Sequence, residues 1–280
     1  MESVKHIDLN CDMGELPEAI ANGTQESLMP SLTSVNVACG GHAGDERTMK
    51  TTVEQALRWK LAIGAHPGYP DRENFGRLEM NLPPEAVADS VCEQVRALTA
   101  IVATCGANLV HVKPHGALYN QAVKNRELAA AIAEGVKNAV AAENVAAALR
   151  RCSAPLRRCR CLSEDVVLVG LAGSSMLDVF RKAGFAVAAE AFADRRYEPD
   201  GALRSRKFED ALIRDPEEAG RQALSIVERG IVIASDGSEV AVEAQTLCIH
   251  GDTPDAPQIA VTVARTLREA GVTLCALSRP

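Results

Sequence analysis

Seven short apolar segments rich in β-branched residues recur along the 280-residue chain: Val4–Cys11, Ser34–Cys39, Leu61–His66, Asn108–Val112, Val166–Gly170, Ala186–Ala191 and Leu247–His250. Helical patterns separate most of them. Asp45 caps a segment carrying Met49, Val53, Ala56 and Leu57 on one face. Pro83-Pro84-Glu85 opens a long one with Val87, Val91, Val95, Leu98 and Val102 at spacings of three and four. Asn125 caps Leu128, Ile132 and Val136; Ser174 starts Met176, Leu177 and Phe180. Asp215-Pro216-Glu217 starts Ala223, Ile226 and Val227, and Ile259, Val263 and Leu267 mark the closing helix. A β-hairpin is expected over Gly230–Val242, turning at Asp236-Gly237.

Strand followed by helix, repeated, demands a parallel sheet, because a parallel neighbour can be reached only by a crossover. Near-continuous apolar strands without a dinucleotide fingerprint favour a closed or nearly closed (β/α) barrel in one domain, 1–280. An open doubly wound sheet is the alternative. The segment 137–164 breaks the pattern with Ala, Arg and Cys, and reads as an exposed insertion, helical in its Ala-rich first half. Cys159 and Cys161 sit two apart, which is not the paired Cys-x-x-Cys of a structural zinc site.

A formal net charge of −7 argues against general nucleic-acid binding. No run of 18 apolar residues and no signal-peptide pattern occur, so no membrane partner and a cytoplasmic location are expected. Nine cysteines, an odd number, include Cys11, Cys39, Cys248 and Cys275 in apolar runs and are expected to stay reduced.

In parallel βα folds the C-terminal strand ends form the chemical face. The first strand delivers Asp8, Asn10, Asp12 and Glu15 there; the second delivers Asn36, His42 and Asp45; the third, His66. The fourth delivers Lys113 and His115, at alternate positions around Pro114, with Gly116 opening into a loop. The fifth ends in Gly170–Ser175, where Gly173 and a helix start can hold an anion. The sixth brings Glu190, Asp194 and Arg195, and the last brings His250 and Asp252. Five of the six histidines lie in or just after a strand end.

Simpler roles stand beside these. Asp45 is explained as a helix cap, Asp8 and His111 as satisfied buried groups, Gly173-Ser174 as an ordinary helix start, and His42 as structural. Asp12, His66, Lys113 and His115 resist such explanations, since buried charges and imidazoles need partners. Asp12, His66 and His115 make a ligand set for a catalytic divalent metal ion. The alternative is metal-free proton transfer, with Lys113 stabilising an oxyanion or phosphate. The candidate catalytic residues are thus Asp12, His66, Lys113, His115 and Glu190. Asn10, Asn36, His42, Gly173, Arg195 and His250 are candidates for substrate or phosphate contacts.

Five motifs in register, Ile7-Asp-Leu-Asn-Cys-Asp-Met-Gly-Glu15, Asn36-Val-Ala-Cys-Gly-Gly-His-Ala-Gly-Asp45, Ile63-Gly-Ala-His-Pro-Gly-Tyr-Pro-Asp71, His111–Tyr119 and Glu190-Ala-Phe-Ala-Asp-Arg195, together with Cys248-Ile-His-Gly-Asp252, resemble the LamB/YcsF family. The resemblance implies a distorted seven-stranded (β/α) barrel of the glycoside hydrolase/deacetylase type. It also implies ATP-dependent opening of 5-oxoproline (pyroglutamate) to L-glutamate by a 5-oxoprolinase, in which this chain is the A component working with separate B and C subunits. ATP is then a co-substrate. The chain has no Gly-x-x-x-x-Gly-Lys-[Ser/Thr] loop, so ATP must bind through helix N-termini and basic side chains, or on a partner subunit. The Asp12/His66/His115 set resembles the metal site of related carbohydrate deacetylases, and a stand-alone metal-dependent amidase or deacetylase is the competing function. A carrier subunit that only binds substrate is a third. Leu16-Pro17-Glu18 and Gly41 depart from the family pattern, and 137–164 is not one of its features.

Overall fold

The computed structural model describes residues 5–150, 166–253 and 255–277. β1 (His6–Met13) is buried on both faces over most of its length, as a strand in a barrel wall must be. Its alternation separates two environments. Leu9, Cys11 and Met13 join the apolar shell under the helices, whereas Asp8, Asn10 and Asp12 carry the buried polar groups of the other face.

The β1–β2 connection holds two short helices, α1 (Pro17–Ala21) and α2 (Thr24–Leu28). Parallel pairing then runs from β1 through β2 (Ser34–Ala38), β3 (Ala62–His66) and β4 (His111–Val112). It continues through β5 (Val167–Leu171) and β6 (Ala186–Phe192). The expected hairpin is present as β7 (Ile231–Ile233) and β8 (Glu239–Ala241), outside the barrel. β9 (Thr246–Ile249) pairs with β6 on one side and β1 on the other, which closes a seven-stranded parallel barrel. The open-sheet alternative is therefore wrong. β10 (Thr273–Leu274) extends the sheet beside the first residues of β1.

The outer helices are α3 (Glu46–Arg58), α4 (Pro84–Thr104), α5 (Gly116–Lys124), α6 (Arg126–Arg150), α7 (Ser175–Lys182), α8 (Pro216–Arg229) and α9 (Ala256–Glu269). Asp45 and Thr48 form a capping box at the start of α3, each side chain bonding the other's backbone N–H at 2.8 Å. The apolar stripe of α4 is buried at every predicted position, Val87 to Val102. It packs on α6 at Gly135, where a Cβ would strike the carbonyl of Ala88. α6 continues to Arg150, and within it Ala139 and Val140 are buried, so the segment that begins at 137 starts as part of the packed helix. Cys159 and Cys161 lie outside the described residues.

β4 is shorter than expected, and the loop after Gly116 is a helix instead. Pro114 stops the ladder, while Ala117, Leu118, Tyr119 and Ala122 give the following turns an apolar face to bury. His115 sits at the N-cap of that helix. No helix among the described residues is long and apolar enough to cross a membrane.

Candidate active site

The polar face of β1 rises in layers. Asp8, the lowest, accepts hydrogen bonds from Thr33 at 2.6 Å, Ser34 at 2.9 Å and Thr246. It is a satisfied structural group. Above it Asn10 donates to Thr246 at 2.6 Å and to Glu190 Oε1 at 3.2 Å. Asn36 donates to Asn10 Oδ1 at 2.7 Å and to Asp12 Oδ1 at 2.8 Å. His111 Nε2–H donates to Asn36 Oδ1 at 2.7 Å, and burial pushes that imidazole down to about 3, so it is neutral. Register places Gly64 opposite both Asn36 and His111. A Cβ at Gly64 would occupy the His111 ring position. Gly64→Ala is expected to cost about 1–3 kcal/mol in urea unfolding by overpacking this layer; wild-type stability would show that the ring is free to move.

Lys113 stands on this platform. Its ammonium is 2.9 Å from Asp12 Oδ1, 3.0 Å from Glu190 Oε1 and 3.1 Å from Cys248 Sγ. Burial would drive the proton off, but Asp12, Cys248 and Glu190 outweigh it and hold the lysine well above its usual range. Burial likewise pushes Asp12 up, and His66 and Lys113 overcome that to hold it well below the usual carboxylate range.

The histidines are fixed by backbone carbonyls, which only accept. His66 Nδ1–H donates to Lys113 O at 2.7 Å, and His115 Nε2–H donates to Phe75 O at 2.9 Å. Their other nitrogens, His66 Nε2 and His115 Nδ1, face each other at 3.0 Å. Were both rings neutral, two lone pairs would meet there. A proton or a cation must lie between them. Burial depresses His66, but Asp12, with Oδ2 at 3.3 Å, raises it above the usual histidine value. Burial and His42 hold His115 well below that value, so the proton belongs to His66. His42 stacks on His115 with centroids 3.6 Å apart, and bonds Glu15 Oε1 at 2.9 Å.

These groups open onto one cavity of about 780 Å³ at the C-terminal ends of the strands, lined by Asp12, Glu15, His66, Lys113, His115, Tyr119, Phe192, Arg195 and His250 among others. His250 stacks on Phe192 and bonds Asp194 through Nδ1 at 2.9 Å and through its backbone N–H at 3.0 Å.

The LamB/YcsF family model matches residues 7–154 and 140–280. The chain belongs to the LamB/YcsF family. The 5-oxoprolinase A subunit of Chloroflexus aggregans is 45% identical over 268 residues, 96% of this chain and 97% of that one. The protein of the same name from Bacillus cereus is 42% identical over 271 residues, 96% and 98% of the two chains. A lactam utilization protein from Thermus thermophilus shares the fold, with a TM-score of 0.82 at 42% identity over 97% of this chain and 100% of that one.

Of the residues expected at this LamB/YcsF site, Asp12, His66, Lys113, His115, Arg195 and His250 reach the cavity wall. Asn10, Asn36 and Glu190 lie beneath it as buried supports, and His42 backs His115. Gly173 is not on the wall; at φ +75 it serves the turn before α7. Two residues outside the candidate catalytic and binding sets also face the site. Glu15 lies 3.3 Å from His115 Nδ1 and 3.8 Å from His66 Nε2. Tyr119, four residues after His115 on α5, presents a buried hydroxyl without a hydrogen-bond partner among the described residues. That i, i+4 spacing is visible in the sequence once the helix start at Gly116 is known.

The donors also regroup. Glu15, His42, His66 and His115 offer ligand atoms within 4.8 Å of one another and could hold a metal ion, while Asp12 groups with Cys248 and His250. Asp12 is not in the four-residue group: Lys113 and Asn36 bond its Oδ1, and its Oδ2 stays 3.3 Å from His66 Nε2 at the edge of the group. The facing lone pairs of His66 and His115, each ring oriented by a carbonyl, fit a divalent cation.

Asp194 supplies a test of the electrostatics. Burial raises it, but His250 outweighs burial and holds it below the usual carboxylate value. A depressed folded pKa gives stability that is present above the unfolded value and is lost as pH falls through the folded one. Asp194→Asn should therefore destabilise most near neutral pH, with the gap to wild type shrinking below about pH 4 in urea melts. A gap independent of pH would contradict this.

Proposed function

We propose that this chain opens the lactam ring of 5-oxo-L-proline to give L-glutamate, as the A subunit of an ATP-dependent 5-oxoprolinase acting with B and C subunits. The names carried by relatives over nearly the whole length support the reading. The observation that carries it is the Lys113 ammonium, buried beside the Asp12–His66 pair on the cavity wall.

A five-membered lactam is a poor electrophile. Phosphorylation of its carbonyl oxygen by ATP makes the carbon attackable. Asp12 takes a proton from water as the water oxygen bonds to that carbon, and Lys113 offsets the negative charge that builds at the phosphoryl-bearing oxygen as the carbon becomes tetrahedral. The C–N bond breaks as His66 Nε2–H protonates the leaving ring nitrogen, and the proton on Asp12 returns to His66. Water has then been added across the C–N bond of the phosphorylated lactam to give an acyl phosphate, and a second water, deprotonated by Asp12, displaces inorganic phosphate from it to leave L-glutamate. Glu190 and Asn10 hold Lys113, while His115, His42 and Glu15 hold the His66 side of the site. A divalent cation held by Glu15, His42, His66 and His115 would take the place of the His66 Nε2 proton and polarise a water there.

The test is glutamate formation from 5-oxoproline and ATP, with the chain alone and with its B and C partners, before and after chelation. Glutamate is expected only from the complete mixture. Acetate released from N-acetylated sugars by the chain alone would favour the deacetylase instead. Unchanged turnover of an Asp12→Asn complex would reduce the chain to a carrier.

A further inference from the structure

We infer that Arg195, Arg206 and Arg77 form a binding site for a phosphoryl dianion at the mouth of the cavity. The ATP-dependent reading above supplies the source of the phosphoryl group, and the inference deepens that reading.

Arg195 is a buried cation, only 6% exposed, yet it lines the cavity. Its Nε–H donates to Ala211 O at 3.3 Å and its Nη2 to Arg204 O at 2.6 Å. Those carbonyls orient the guanidinium without neutralising it, and among the described residues no carboxylate forms an ion pair with it. Nη1 makes no hydrogen bond among them. A buried charge left in this state is costly unless a ligand completes it. Burial, with the nearby Arg206, brings Arg195 down to about 10, so it stays charged at neutral pH.

Arg206, farther along the same connection, bonds Asp252 Oδ2 at 3.0 Å, and Arg77 from the loop after β3 bonds the same oxygen. Two guanidiniums share one carboxylate. With Arg195 the arc holds three guanidiniums that share one ion-paired carboxylate, Asp252, while Asp194 beside Arg195 is bonded to His250. Arg204, also at the mouth, is already neutralised by Asp210 at 2.7 Å and Glu198 at 2.8 Å. The floor has the opposite sign, because Lys113 stands between Asp12 and Glu190. A carboxylate, with two oxygens, would leave guanidinium donors in the arc without acceptors. A phosphoryl dianion brings more charge and more oxygens, which suit the donor forks of guanidinium.

Inorganic phosphate, ATP and 5-oxoproline are titrated separately into the full-length chain at fixed ionic strength, using calorimetry. Wild type is expected to bind phosphate, and Arg206→Gln to weaken it about tenfold. Arg77→Gln/Arg206→Gln should abolish it, with 5-oxoproline affinity changed less than about threefold. Both side chains are part-exposed, so folding is checked simply by the unfolding midpoint. ATP binding no tighter than phosphate places the phosphoryl group on the substrate; tighter ATP binding with the same loss in the variants places it on nucleotide. Either supports the site. Absent phosphate binding, binding indifferent to both substitutions, or loss of 5-oxoproline affinity in its place would overturn it. Glutamate formation by the assembled enzyme is scored independently, so a working oxoprolinase that ignores phosphate sinks this inference alone.

Discussion

Lys113→Met is expected to lower kcat for glutamate formation by the assembled enzyme about 10³-fold, with a much smaller change in KM. The ammonium stabilises charge that develops only as water attacks, so its loss falls on the transition state. It also leaves Asp12 and Glu190 facing a low-dielectric wall without their cation, which typically destabilises by about 3–5 kcal/mol. The two effects can be separated. Lys113→Met/Glu190→Gln removes one uncompensated carboxylate and should recover much of the unfolding midpoint. It should recover none of the rate. Recovery of both would mean that Lys113 is a structural counter-ion only.

Asp12→Asn is expected to cost about 10³–10⁴ in kcat, comparable with amide replacement of a catalytic carboxylate that orients an imidazole. An amide cannot take a proton from water. An amide nitrogen turned toward His66 would also meet its Nε2–H, and the interaction that raises the His66 pKa disappears. For wild type the sign follows from that raised value. The protonated imidazole contributes stability that is fully present below the unfolded histidine pKa and is lost as pH rises through the higher folded one. In Asp12→Asn this contribution should vanish, and the His66 resonance should titrate below its wild-type midpoint. An unchanged midpoint would remove Asp12 as the partner of His66.

Much of the barrel was legible because each strand and most helices are written in local periodicity. Asp8, Asn10 and Asp12 alternate with Leu9, Cys11 and Met13, and the stripe from Val87 to Val102 recurs at helical spacing. Closure was inferred only indirectly. It depends on β9 meeting β1, a pairing of residues such as Cys248 and Asn10 that no local pattern encodes. The start of α5 was missed for a physical reason: Pro114 and Gly116 signal a break, and the apolar face that overrides them lies just beyond.

The site shows the same division. Strand-end position was enough to place Asp12, His66, Lys113 and His115 on one cavity wall, since parallel strands must aim their ends at one rim. It could not reveal that Glu15, beyond the left-handed turn at Gly14, would meet His42. Nor could it show two arginines from different loops converging on Asp252. Gly173 failed because a glycine before a helix is first a means of turning the chain.

The most direct measurement is a double-mutant cycle on kcat/KM for 5-oxoproline in the assembled enzyme, comparing Asp12→Asn, Lys113→Met and the pair. If the two groups act on the same reacting carbon as one unit, the double variant should be scarcely slower than the worse single variant. Losses that multiply, each group costing the same whether or not the other is present, would contradict a shared lactam-opening centre.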